Sequence, residues 1–183
     1  MPFQRGLSRW GMPAIEVTLG DITLAHVDAI VTAANESLLG GGGVDAAIHS
    51  AAGPRLAVAG AALAPCAPGE AVATPAFDLD PPIRHVIHAV GPVWEGGSYA
   101  EADILASCYR HSLQTADAIG ARTIAFPAIA TGVYGFPPDQ AARIAVTTLT
   151  TTPAQVQQIQ LVAFDDTTYH HLITALDAAA PPS

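Results

Sequence analysis

The sequence has no lysine, and all seven of its basic residues are arginines. That absence excludes a Walker P-loop and Schiff-base chemistry, both of which need the lysine amine. Any phosphate bound by this chain is held by backbone amides, helix dipoles or arginine. Charged residues make up only 13% of the 183 and the formal net charge is −9, so the electrostatic footprint of a general nucleic-acid binder is missing. Cysteine is scarce as well: Cys66 and Cys108 are too few for a disulfide framework, and both are expected to pack as small apolar residues in a reducing cytoplasm. No apolar run approaches the length of a membrane span. The opening "MPFQRGLSRWGMP" lacks the apolar segment of a signal peptide. A cytoplasmic chain with no membrane contact is the expectation.

Half of the residues are hydrophobic, and 18.7 kDa suits one domain with a full core. No internal repeat or linker divides it. Residues 1–13 read as an N-terminal extension with Met12 as an alternative start, 14–178 as the domain, and 179–183 as a flexible tail. "AIEVTLG" alternates Ile15, Val17 and Leu19, the pattern of a strand, and "DAIVTAA" is a short buried strand. Val44, Ala47, Ile48 and Ala51 mark one face of a helix that stops near Gly53-Pro54. An Ala-rich helical stretch follows, then "EAVATPAF" and "RHVIHAVG" as strands. A helix over 100–119 carries Leu105, Cys108, Ala116 and Ile119 on one face. "RTIAFPAIA" reads as a central strand, Pro137-Pro138 opens a helix striped by Ala141, Ile144, Ala145, Thr148 and Leu149, and "IQLVAF" is the last strand before a helix from about 167 to 178. Strands alternating with helices imply a three-layer α/β/α domain around a central mixed, largely parallel sheet. Ligands gather at the carboxyl ends of such strands. Gly20-Asp21-Ile22, Asn35 to Asp45, Thr131 to Phe136 and Phe164-Asp165 are expected to meet there.

Gly40 to Gly43 lead into a helix N-terminus, and "ATGVYGFP" is a second glycine loop between strand and helix. Each is a flexible turn or an anion cradle of backbone N–H groups; two at one end of a sheet suit a diphosphate. Asp45 is accounted for by the helix dipole alone, worth about 0.3–1 kcal/mol. Beside an N-terminus it should stay ionised and accept protons weakly. His49 lies one turn later, away from the apolar stripe, and is read as a surface histidine within reach of Asp45. Asn35 is a turn-former or a donor to sugar hydroxyls. Asp21 caps a turn through Thr23 or accepts from an exocyclic amine. Tyr134, Phe136 and Phe164 wall a pocket or belong to the core. His26, His85, His88, His111, His170 and His171 show no metal-ligand spacing, and no metal is expected; His85 and His88 point to opposite faces of their strand.

Taken together, "GDIT" (20–23), "DAIVTAANESLLGGGGVDAAIHSAAGP" (28–54), "RHVIHAVGPVW" (84–94), "IAFPAIATGVYGFP" (124–137) and "LVAFDDTTYHHL" (161–172) resemble the macrodomain family. Within it they resemble the MacroD-type, or O-acetyl-ADP-ribose deacetylase, branch. The resemblance implies ADP-ribose or ADP-ribosylated substrates as partners and hydrolysis of an ester on the distal ribose, with no cofactor required; the acidic balance argues against stable nucleic-acid binding. Asp21 would bind the adenine amine, with Ile22 supporting it through its backbone and Phe164 flanking the ring. Gly41, Gly42, Gly43 and Val44 would form one diphosphate loop. Thr131, Gly132, Val133, Tyr134, Gly135 and Phe136 would form the other. Asn35 would contact the distal ribose, and Asp45 would be the catalytic or water-orienting acid. The family usually has an asparagine where this chain has Thr32, a single hydroxyl in place of an amide. A binding module without turnover, an ADP-ribose 1″-phosphate phosphatase and release of ADP-ribose from a nucleic-acid end are the rival readings.

Overall fold

The computed structural model describes residues 6–7 and 12–180. Most of the expected tail, and most of the expected extension, lies outside them. Among the described residues, seven strands form one sheet: β1 (Gly6–Leu7), β2 (Ala14–Leu19), β3 (Ala29–Ala34), β4 (Ala71–Pro75), β5 (His85–Val90), β6 (Thr123–Phe126) and β7 (Gln158–Ala163), in the order β1-β2-β7-β6-β3-β5-β4. The five inner strands run parallel, and β1 and β4 pair antiparallel to the edges. Gly6 and Leu7 lie opposite Glu16 and Ile15, so part of the expected extension adds an edge strand to the domain. Five helices complete the layers: α1 (Gly43–Ala52), α2 (Arg55–Ala61), α3 (Glu101–Ala118), α4 (Pro138–Thr151) and α5 (Asp166–Ala179).

Strand alternation divides the core in two. Ile15, Val17, Val31, Ile87 and Phe126 face α3, α4 and α5. Ile30, Val86, Ala125 and Val162 face α1 and α2 through Ile48, Ala52 and Leu56. Successive side chains point to opposite faces, so Thr32 shares its face with Ile30 and stands under α1. The buried line of α1 is Asp45, Ile48 and Ala52, whereas Ala47 is exposed. This corrects the expected apolar stripe. The helix is rotated so that its Asp45 carboxylate meets the Thr32 hydroxyl offered by β3 from below, while the His88 imidazole of β5 faces His49 of the same helix. The carboxyl ends of β2, β7, β6 and β3 share one edge of the sheet, as parallel pairing requires.

Candidate functional site

At that edge a cleft of about 280 Å³ opens between two loops. Ala33, Ala34 and Asn35 come from the end of β3, Gly41 to Asp45 from the glycine loop and α1, and Gly91 from the end of β5. Ala128, Ala130, Gly132, Val133 and Tyr134 belong to the segment after β6. Among the described residues, no arginine or histidine lines the cleft. An anion here meets amides and the dipole of α1, whose first-turn N–H groups have no intrahelical acceptor.

Asn35 builds the first loop around itself. Its Nδ2 donates to the Gly40 carbonyl at 3.2 Å, and its Oδ1 accepts from Ser37 Oγ at 2.7 Å. The turn-forming reading of Asn35 is therefore correct, and it places the amide at the cleft wall. Gly40 has φ +109°, a left-handed conformation, and a Cβ there would lie 3.6 Å from the His49 ring. At Gly41 a methyl would stand at ordinary contact distance from two polar groups, 3.4 Å from Asp45 Oδ2 and 3.7 Å from Asn35 Nδ2. The two polar groups converge on that one residue.

Asp45 occupies the third position of α1 and is only 1% exposed. Its Oδ1 accepts from Thr32 Oγ1 at 2.7 Å, and His49 Nε2 lies 3.5 Å from the same oxygen. Burial pushes the carboxyl above its ordinary range, against the opposing pull of the Thr32 hydroxyl, His49 and the Gly41 amide. The expectation of a weak proton acceptor rested on the helix N-terminus alone; burial, the largest influence on this carboxyl, acts in the opposite direction. His49 is not a surface histidine either. Its side chain is 15% exposed, and its ring meets that of His88 at 6.4 Å in a T-shaped arrangement. His88 is fully buried, exchanges a 2.9 Å hydrogen bond with Thr74 Oγ1, and has its pKa lowered to about 4 by burial and then by His49. Polar side chains thus run in series beneath the cleft from Thr32 to Thr74. Sequence reasoning missed this line, because its members come from four elements.

The second loop is held from below by Tyr109 of α3, buried to 1%, whose hydroxyl accepts from the Ile129 N–H at 3.2 Å and donates to the Pro127 carbonyl at 3.4 Å. Phe136 does not wall the cleft. It is buried against Trp94, ring centroids 4.8 Å apart, with its N–H on the Ala130 carbonyl at 2.9 Å. Thr131 turns back to the Ala128 carbonyl at 3.0 Å, and the Gly135 N–H closes on the Gly132 carbonyl at 3.0 Å. Tyr134 is half-buried and Val133 is 94% exposed at the rim. The neighbouring rim is set by Glu101, whose carboxylate accepts from the Glu95, Gly97 and Tyr99 N–H groups.

Asp21, Ile22 and Phe164 stand on the same sheet edge but outside the cleft's lining. Asp21 accepts from both the N–H and the hydroxyl of Thr23, so the capping reading is correct for it. Ile22 is 4% exposed in the core under α1, and Phe164 is 90% exposed at the end of β7. Asp165 caps α5 by accepting from the Thr168 N–H at 2.7 Å. The small residues Ala33, Ala34, Gly91, Ala128 and Ala130 also line the cleft and were not foreseen, since nothing chemical marks them.

Comparison with known proteins identifies the family. The Macro domain profile matches residues 31–145. A "Macro domain-containing protein" of Lactiplantibacillus plantarum is 53% identical over 171 residues, covering 91% of this chain and 98% of that protein. A Klebsiella pneumoniae protein named O-acetyl-ADP-ribose deacetylase is 54% identical, covering 84% and 90%. Among solved structures, the Oceanobacillus iheyensis macrodomain with ADP superposes with a TM-score of 0.88 at 36% identity, over 96% of this chain and 97% of that one. By profile, by relatives above half identity and by fold, the chain belongs to the macrodomain family.

Proposed function

We propose that this protein is a hydrolase that binds ADP-ribose in the cleft and cleaves an ester on its distal ribose. The observation that carries the reading is the convergence of Asp45 Oδ2 and Asn35 Nδ2 on Gly41, at the wall of a cleft otherwise lined by amides and small residues. Relatives named O-acetyl-ADP-ribose deacetylase support acetyl as one acyl group of the ester. We extend the substrate class to mono-ADP-ribose esterified to acidic side chains, which present the same bond.

In this reading the amides of Gly41 to Val44 and Gly132 to Tyr134 clasp the diphosphate, each bond to a charged group contributing about 1.5–3 kcal/mol. The clasp sets the ribose at a fixed distance from Asp45. Asp21 and Phe164 flank the adenine at the far end. Asn35 holds a ribose hydroxyl. Water adds to the ester carbonyl carbon while its proton passes to Asp45 Oδ2. The carbon–oxygen bond to the ribose then breaks, Asp45 returns the proton to the ribose oxygen, and the carboxylic acid departs and loses its remaining proton to solvent. Burial of Asp45 suits it to this exchange, because a raised pKa makes a better acceptor at neutral pH. The free, buried cysteines suit a reducing cytoplasm.

The test is Asp45→Ala against wild type on O-acetyl-ADP-ribose and on a peptide mono-ADP-ribosylated at an acidic side chain. Turnover should fall at least about a hundredfold, on the scale of a lost acid–base group, with ADP-ribose affinity retained by calorimetry. Wild-type binding without turnover of either substrate would make the chain a reader of ADP-ribose instead.

A further inference from the structure

The surroundings of Thr32 give its hydroxyl one partner. Strand alternation turns residue 32 to the α1 side of the sheet, in register with His88 on β5. There it is fully buried, and its Oγ1 donates to Asp45 Oδ1 at 2.7 Å. The direction is fixed by chemistry, since an ionised carboxylate only accepts. Thr32 is absent from the cleft lining, so it reaches a substrate only through Asp45. His49 Nε2 approaches the same Oδ1 from one turn further along α1, at 3.5 Å. Oδ2 is thereby left facing Gly41 and Asn35. The terminal torsion of an aspartate is intrinsically broad, and the Thr32 donor is what restricts it from the sheet side.

We propose that Thr32 is a positioning residue for the hydrolysis, its hydroxyl fixing the plane of the Asp45 carboxylate so that Oδ1 is engaged by the scaffold and Oδ2 is presented to the water. This rests on the assignment of Asp45 as the reacting acid. The groups facing that carboxylate are Thr32 from β3, His49 on α1 and the Gly41 amide, with His88 of β5 behind His49.

The experiment compares wild type, Thr32→Val, Thr32→Ala, Thr32→Ser and Asp45→Ala on O-acetyl-ADP-ribose, reading kcat, KM, the pH profile and ADP-ribose affinity. Thr32→Val and Thr32→Ala should each lose about tenfold in kcat, the order of one hydrogen bond to a charged group. KM and ADP-ribose affinity should stay within about twofold, because uniform binding is untouched. The acid limb of kcat/KM should move to higher pH, since the lost donor favoured the ionised carboxylate. Thr32→Ser should restore both rate and profile. Wild-type kcat and an unmoved acid limb in Thr32→Val and Thr32→Ala, beside an inactive Asp45→Ala, would overturn the role of Thr32 and leave Asp45 standing. An active Asp45→Ala would overturn both. Thr32→Ala carries the same expectation with less volume, so a misfolded Thr32→Val still leaves the proposal open to refutation.

Discussion

The imidazole of His88 is enclosed between β4, β5 and α1, where a positive charge is poorly solvated and lies close to His49. Its pKa is about 4 in the folded protein against 6.5 for an ordinary histidine. Between those values the unfolded chain takes up a proton that the folded chain refuses. Its contribution is therefore complete above about pH 6.5 and is lost as pH falls toward 4, amounting to roughly 3 kcal/mol. Asp45 acts in the opposite sense. Its raised carboxyl pKa means the folded state holds a proton more readily than the unfolded one on the acid side, which offsets part of the loss. Urea unfolding at pH 7 and at pH 4.5 checks this: the wild type should lose about 2–3 kcal/mol more than His88→Gln over that interval. None of this is visible in "RHVIHAVG" read as a strand. The pattern says which face His88 takes, but not that a second histidine will sit over it.

Elements were legible where their periodicity is local, and misread where a distant partner decides. The alternation of β2 and the stripe of α4 are written in neighbouring residues, so strand and helix followed from them. The buried face of α1 is different. Asp45 and Ala47 are equally compatible with a helix, and only Thr32 beneath them selects the carboxylate. The segment after β6 makes the same point. Its course from Pro127 to Ala130 ends in a left-handed residue, Ala130 at φ +66°, and is clamped by Tyr109 from a helix that precedes β6 in the chain. Removing that hydroxyl by Tyr109→Phe leaves a buried N–H and a buried carbonyl without their partner, at a cost of about 1–3 kcal/mol. The substitution should lower Tm and, because Ala128 and Ala130 line the cleft, weaken ADP-ribose binding several-fold. Calorimetry on the folded variant reads the second effect separately from the first. Unchanged affinity would mean that the segment holds its shape without the clamp.

Across the molecule, the parallel order of the sheet is what makes the candidate site legible at all. The four stretches expected to converge do share one edge, because β2, β7, β6 and β3 all end there. Which residues then form the wall depends on crossings between distant segments. Gly91 and the alanines are therefore part of the site without any mark in their side chains. Among the described residues no cationic side chain lines the cleft, and the protein carries a net charge of −9. A diphosphate must approach against the mean field of the protein, and only at short range do the amides take over. Added salt screens that opposing field, its reach shrinking from about 30 Å near 0.01 M to about 8 Å at 0.15 M. The association rate of ADP-ribose should therefore rise with ionic strength, where a lysine- or arginine-built phosphate site slows. Stopped-flow binding over that salt range decides it, and a falling rate would mean that an arginine reaches the ligand after all. The protein is thus expected to recognise its ligand by fit after encounter, with no electrostatic steering to bring the ligand in.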